Sequence, residues 1–161
     1  MRTTLFIPLF ILFVFQGNTN ARAQYASENN EPLIHALGVA AGFTTGYGLS
    51  YRFFPKKFGV QSTFAPYSDN KRATYSIGLT LLYKLSESEN INLLLYQGNQ
   101  YYYNKNKENN TVSEYFNNGL GIGIEFIIQK RFSCNFMGGY AGYENFSKVN
   151  FTAETALYYK F

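Results

Sequence analysis

From about residue 34 onward, apolar and polar side chains alternate along the chain, and no segment shows a helical period. The alternation is clearest at the far end. Phe151, Ala153, Thr155, Leu157, Tyr159 and Phe161 fall on one face of an extended strand, and Asn150, Thr152, Glu154, Ala156, Tyr158 and Lys160 on the other. Tyr75, Ile77, Leu79, Leu81 and Tyr83 likewise oppose Thr74, Ser76, Gly78, Thr80 and Lys84. Leu120, Ile122, Ile124 and Phe126 oppose Gly119, Gly121, Gly123 and Glu125, and Phe132, Phe136 and Tyr140 oppose Ser133, Asn135 and Gly139. Tyr47, Leu49, Tyr51 and Phe53 oppose Gly48, Ser50 and Arg52. Weaker strands are predicted over 34–43 and 58–65. Another begins at Ile91 but loses its period after Leu95, so the pattern does not fix its far end.

Turn clusters separate these runs and differ in character by side. Segments 55–57, 86–90 and 129–131 are compact; 67–72, 104–113 and 144–148 are polar loops, with 44–46 a short fourth on that side. The sum is an all-β chain, an eight-stranded antiparallel up-and-down transmembrane β-barrel, with both ends on the short-turn side.

A period of two does not say which face looks outward. An eight-stranded barrel is only just wide enough to be filled by side chains, so the large apolar face belongs outside and the glycine-bearing face inside. The charges within strands agree. Arg52, Lys84, Glu125, Glu154 and Lys160 all oppose the apolar face. On a lipid-facing surface Arg or Lys costs ~2–4 kcal/mol at mid-membrane.

Upstream of the strands the pattern changes. Met1-Arg2-Thr3-Thr4 gives a positive start, residues 5–15 form an apolar run of 11 residues broken only by Pro8, and Ala21-Arg22-Ala23 is an A-x-A cleavage pattern. The run is too short for the ~20 residues of a spanning helix. Residues 1–23 therefore read as a secretory signal peptide, 24–32 as a flexible lead-in, and 33–161 as the barrel domain, with the mature chain starting at Gln24.

Composition sharpens this picture. Aromatics make up 19% of residues without any Trp, and charged residues only 15%, against ~25% in ordinary soluble domains. Mean hydropathy is slightly negative, which excludes a bundle of apolar helices. Loss of Arg2 and Arg22 with the signal lowers the net charge from +4 to +2, too mild a basicity to imply nucleic acid. The single cysteine, Cys134, excludes an internal disulfide framework and lies far from any lipid-anchoring position.

The signal, the strand pattern and above all Leu157-Tyr158-Tyr159-Lys160-Phe161 resemble a small bacterial outer-membrane β-barrel of the OmpA-transmembrane-domain or OmpX type. The resemblance covers the whole mature chain as architecture and about its last ten residues as motif. It implies residence in outer-membrane lipid after export through the inner membrane of a Gram-negative cell. It also implies that Leu157, Tyr159 and Phe161 are read by the barrel-assembly machinery during insertion. The group commonly carries Trp; here the aromatic belts would be Tyr and Phe, such as Tyr47, Tyr75, Tyr83 and Tyr159.

Chemistry is sparse. His35 is the only histidine and has no serine partner in the sequence pattern, so no catalytic residues are expected. One histidine and one cysteine about a hundred residues apart make no metal site, and the glycines of 119–123 alternate at strand period rather than opening a phosphate-binding helix. No cofactor is implied.

The interior charges are expected to form a lumen network. Glu125 would pair with Arg52, Lys84 or Lys160 toward the short-turn end, and Glu154 would lie higher with a neighbour the pattern does not name. The tip between Asn104 and Ser113, with Tyr101–Tyr103 before it, is the candidate for an extracellular ligand. The expected role is structural or one of surface interaction. Two alternatives stay open: a narrow porin-like channel gated by the charge network, and a soluble periplasmic barrel that binds an apolar ligand.

Overall fold

The computed structural model describes residues 33–161; the expected signal peptide and lead-in lie outside the described residues. The described residues form eight strands: β1 (His35–Gly42), β2 (Gly48–Phe53), β3 (Phe58–Ser68), β4 (Arg72–Glu87), β5 (Ile91–Asn106), β6 (Thr111–Ile128), β7 (Phe132–Tyr143) and β8 (Lys148–Lys160). Each pairs antiparallel with its sequence neighbours, and β8 returns to β1 to close the barrel. Within the continuous wall each strand is paired on both sides, the condition for placing a sheet where backbone groups find no water; only the projecting ends, such as residues 111–117 of β6, are paired on one side.

Leu157 lies opposite Val39, and Tyr159 opposite Leu37, across the closing seam. Phe161 N donates to His35 O at 2.9 Å and its carbonyl accepts from His35 N at 3.3 Å. Leu157, Tyr159 and Phe161 therefore lie at the seam, with their side chains on the exterior.

The alternation reads out as expected. Leu49, Ile122, Leu157, Phe136 and Tyr140 are all more than half exposed on the outside, whereas Ser50, Arg52, Thr80, Glu125, Thr152 and Glu154 are buried inside. Aromatic side chains gather near both ends of the exterior. Phe132 packs edge-on to Tyr159 at 5.2 Å near the short-turn end, and Tyr75 lies 5.9 Å from Tyr103 near the other.

Three strands differ from the sequence reading. β4, β5 and β6 run 16, 16 and 18 residues, so they project past β1, β2, β7 and β8 on the long-loop side. The segments expected as loops over 67–72 and 104–113 are mostly strand, with turns only at 69–71 and 107–110. The fifth strand's facing keeps alternating as far as Tyr101. Its chemistry does not: Leu94 and Tyr96 lie inside, and past Leu95 the outward positions turn polar with Gln97 and Asn99. An alternation test that equates apolar with outward cannot follow that switch.

Candidate functional site

The lumen holds the buried charges, built from inward positions of every strand. Near the short-turn end Glu125 on β6 is the hub. Its Oε1 is 3.2 Å from Arg52 Nη1 on β2 and 3.3 Å from Lys160 Nζ on β8. Asn92 Nδ2 donates to Oε2 at 2.7 Å. Arg52 is further fixed by Gln61, whose Oε1 accepts from Nη2 at 2.8 Å, and by the Tyr158 ring, 4.0 Å beneath its guanidinium carbon. Two cations on one carboxylate would leave net positive charge in a buried interior, and the Gln61 amide oxygen and the Tyr158 ring face, both electron-rich, offset it at Arg52.

Lys84 does not join this hub. Its ammonium bonds Glu87 Oε1 at 2.6 Å, three residues along the same strand, and lies 4.8 Å from the Phe54 ring. A register shift between Lys84 and Ser86 lies between these two partners.

Glu154, the fifth expected member, has no cation partner among the described residues. Five donors surround its carboxylate. Thr44 N and Oγ1 reach Oε1 at 3.1 and 2.6 Å, Thr45 N and Oγ1 reach Oε2 at 3.3 and 2.7 Å, and Thr152 Oγ1 reaches Oε1 at 2.7 Å. Thr44 and Thr45 belong to the β1–β2 connection, whose middle, Thr44 to Gly46, folds down into the barrel and is buried there. Uncharged N–H and O–H groups thus carry out the neutralisation that cations perform at Glu125.

The glycines of the inner wall make room for this inward loop. A side chain at Gly119 would strike Thr44 Cγ2 at 2.8 Å, one at Gly98 the Thr44 carbonyl at 2.8 Å, and one at Gly78 the Thr45 carbonyl. Gly46 turns the loop over Gly78 at a φ of 81°, a left-handed conformation suited to glycine. The alternation in the sequence places Gly78 and Gly119 inward, leaves Gly98 unassigned beyond the point where the fifth strand loses its period, and does not say what fills the space above them. Gly98 lies directly opposite Gly119, and Gly78 two residues along on the next strand, a clustering that only the strand register reveals.

Side chains fill the rest of the lumen. Leu82, Leu94, Tyr96 and Met137 form a buried apolar cluster with Phe54 against it, and Ser50 links Thr63 and the Tyr158 hydroxyl at 3.1 and 2.7 Å. In the lower layer Arg52 Nε, Asn92 Oδ1, Ser133 Oγ and Asn135 Oδ1 have no partner among the described residues.

Above the inward loop, the inner face of the β4–β5–β6 projection opens to solvent. Tyr102 stacks on Tyr115 at 4.8 Å, with Tyr47 6.5 Å away. Tyr47 is therefore part of the mouth, not of the outer aromatic belt expected for it. Higher still, Arg72, Asn104, Asn106, Asn109, Thr111 and Ser113 line a polar cleft of about 380 Å³. The turns above it are tied together: Lys107 Nζ bonds Ser68 Oγ at 3.2 Å and the Asp69 carbonyl, and Lys71 pairs with Glu108 at 3.4 Å.

Elsewhere the chemistry is slight. His35 Nδ1 meets the Tyr51 hydroxyl at 2.6 Å on the exterior, stacked against Phe53. Among the described residues no three acidic, His or Cys side chains converge in a way that could hold a metal ion.

No protein-family model matches the chain, and no curated protein matches it. Among solved structures, the N-terminal β-barrel domain of Pseudomonas aeruginosa OprF superposes with a TM-score of 0.55 at 14% identity, over 79% of this chain and 95% of that one. Neisserial surface protein A gives 0.48 at 15% identity, over 79% and 94%. Ail, the attachment invasion locus protein of Yersinia pestis, gives 0.37 at 17% identity, over 79% and 93%. The likeness to the OprF domain is one of fold. The chain has the closed eight-stranded architecture of small outer-membrane barrels.

Proposed function

We propose that this chain is an integral outer-membrane barrel that works at the cell surface through its projecting β4–β5–β6 sheet, not through its lumen. The observation that carries this reading is the contrast along the barrel axis. The inside is occupied by a charged hub, an apolar cluster and an inward loop, while the polar cleft between Arg72 and Ser113 stands open above them. The apolar exterior supports lipid as the surrounding medium. In water the same surface would expose Leu, Ile, Phe and Tyr on all strands, far beyond a few hundred Å² of tolerated patch. The soluble periplasmic barrel is disfavoured on that ground.

An extracellular ligand at the cleft would meet Asn104, Asn106 and Asn109 amides, Thr111 and Ser113 hydroxyls and the Arg72 guanidinium. Those groups suit a neutral or acidic polar ligand. The barrel-assembly machinery remains the proposed reader of Leu157, Tyr159 and Phe161. Heat-modifiable migration of outer-membrane fractions tests the location, and recovery of all the protein in the soluble periplasm overturns it. Cell-surface binding by an Asn104→Ala/Asn106→Ala/Thr111→Ala variant tests the role. Binding equal to the parent chain's removes the cleft from consideration.

A gated narrow channel is the second reading, favoured by the four polar atoms of the lower layer without a partner among the described residues, which offer the hub alternative hydrogen-bond partners. Planar-bilayer recordings decide it: no conductance at any voltage or pH removes the channel.

A further inference from the structure

The outer surface of β5 and β6 interrupts its own apolar belt. Along β5 the outward positions run Leu93, Leu95, Gln97, Asn99, Tyr101, and along β6 they run Phe116, Asn118, Leu120, Ile122. Gln97, Asn99 and Asn118 thus lie below the aromatic side chains Tyr101 and Phe116, beside Leu79, Leu81 and Leu120. Gln97 and Asn99 bond reciprocally at 2.9 and 3.0 Å, Asn118 Nδ2 donates to Asn99 Oδ1 at 2.7 Å, and Asn99 Nδ2 also donates to the Leu79 carbonyl at 3.2 Å. Each side-chain amide offers two donor N–H groups and an acceptor oxygen with two lone pairs. Asn118 makes a single described bond, so most of its capacity faces outward.

From these positions we infer that the β5–β6 exterior is a lateral contact between two copies of this chain within the membrane. The inference rests on the membrane reading above. An amide in hydrocarbon without partners is strongly disfavoured, and acyl chains offer it none. The patch itself contains no charged side chain and sits beneath the aromatic row, so it is neither placed nor charged to hold a lipid phosphate. An amide cluster is, however, its own complement. Related by a two-fold axis, donors of one copy face acceptors of the other, as an isologous interface requires. Leu79, Leu81, Leu120 and Ile122 around it supply an apolar rim, and between transmembrane helices side-chain amide bonds contribute to association in lipid.

The test uses the full chain refolded into phosphatidylcholine vesicles, with gel heat-modifiability read on the same samples. The first arm replaces Cys134 with Ser and introduces Leu120→Cys beside the patch or Leu49→Cys on β2, across the barrel from β5–β6. Oxidation is expected to give a covalent dimer from the Leu120→Cys chain and little from the Leu49→Cys chain. The second arm compares energy transfer between labelled copies for the parent and for Gln97→Leu/Asn99→Leu/Asn118→Leu, with Asn118→Leu alone should the triple variant not insert. A loss of at least tenfold in self-association is expected for the triple variant, and a smaller loss in the same direction for the single one. Chains that insert but stay monomeric, dimers that survive the leucine substitutions, or equal cross-linking from the two cysteine positions each overturn the inference. Chains that never become heat-modifiable overturn the membrane reading instead.

Discussion

Glu125 and Glu154 are both buried carboxylates inside one barrel, yet opposite means hold them. Glu125 meets two cations from distant strands, while Glu154 meets only hydroxyls and backbone N–H groups, four of those five donors from one short loop. The cationic hub joins β2, β6 and β8 and depends on charge; the Glu154 site ties a connection to a wall and depends on hydrogen-bond geometry. A carboxylate in a barrel therefore marks neither a gate nor a strut by itself. What sits around it decides which element it restrains.

The largest expected effect is at the charged end. Glu125→Leu leaves Arg52 and Lys160 inside with no counter-charge, a loss of about 3–5 kcal/mol. Denaturant unfolding from vesicles measures it. The double variant Glu125→Leu/Arg52→Met is expected to recover much of that loss, because the pair is removed together. A double variant as unstable as the single one would show that the hub is not organised by that pair.

Glu154→Ala comes next, at about 2–3 kcal/mol, since several charge-assisted bonds vanish but no cation is stranded. The two carboxylates should also separate by location. Hydrogen exchange at the Thr44 and Thr45 amides is expected to rise sharply in Glu154→Ala and hardly at all in Glu125→Leu. Equal exchange in both variants removes the distinction between strut and latch. If the inward loop also blocks the lumen, only Glu154→Ala should admit measurable conductance.

Much of this arrangement was legible in the residues, and its limits have physical causes. Strand number, closure and the inward position of all five charges follow from period two, because facing is a local property of extended backbone. Pairing across the lumen is not local. It depends on strand tilt and shear, which sequence spacing does not encode, so Lys84 was grouped with Glu125 although it bonds Glu87. Glu154 was expected to have an unnamed neighbour, and the partners proved to be threonines from a loop assigned to the outside. The length of β4–β6 was hidden for another reason: above the apolar belt a strand can be polar on both faces, so Asn104–Asn106 look like a loop while forming a ladder with Arg72, Ala73 and Thr74.

The glycine wall gives a smaller and more local contrast. Gly78→Ala pushes a methyl group into the Thr45 backbone, which is fixed by Glu154, and should cost about 1–3 kcal/mol. Gly138 on β7 faces the exterior, where its nearest neighbour would be the edge of the Phe151 ring at 3.2 Å, free to swing aside. Gly138→Ala should change stability by no more than about 0.5 kcal/mol. Equal losses at the two positions would mean the inward loop is not packed against the wall.

The smallest effect lies outside the barrel wall, where a third carboxylate completes the comparison. Asp69 in the β3–β4 turn accepts from the backbone N–H groups of Lys71 and Arg72 at 2.7 and 2.5 Å and from the Tyr67 hydroxyl at 2.9 Å. Those donors hold its carboxyl below the usual range, the Arg72 and Lys71 amides first. A depressed folded pKa places the stabilisation above the unfolded value of ~3.9, and it disappears as pH falls through the lower folded one. The turn over the cleft should therefore stay ordered from neutral pH down to about 4 and loosen only in stronger acid. Asp69→Asn should keep part of the bonding and abolish that acid transition, read as protease nicking at 69–71 against pH. Like Glu154, Asp69 is held by neutral donors and ties a connection in place; unlike Glu154, water competes for every bond it makes, so its loss should be felt in the turn alone. An acid transition that persists in Asp69→Asn would assign the loosening to another group, with Lys71 and Glu108 above the cleft the next pair to test.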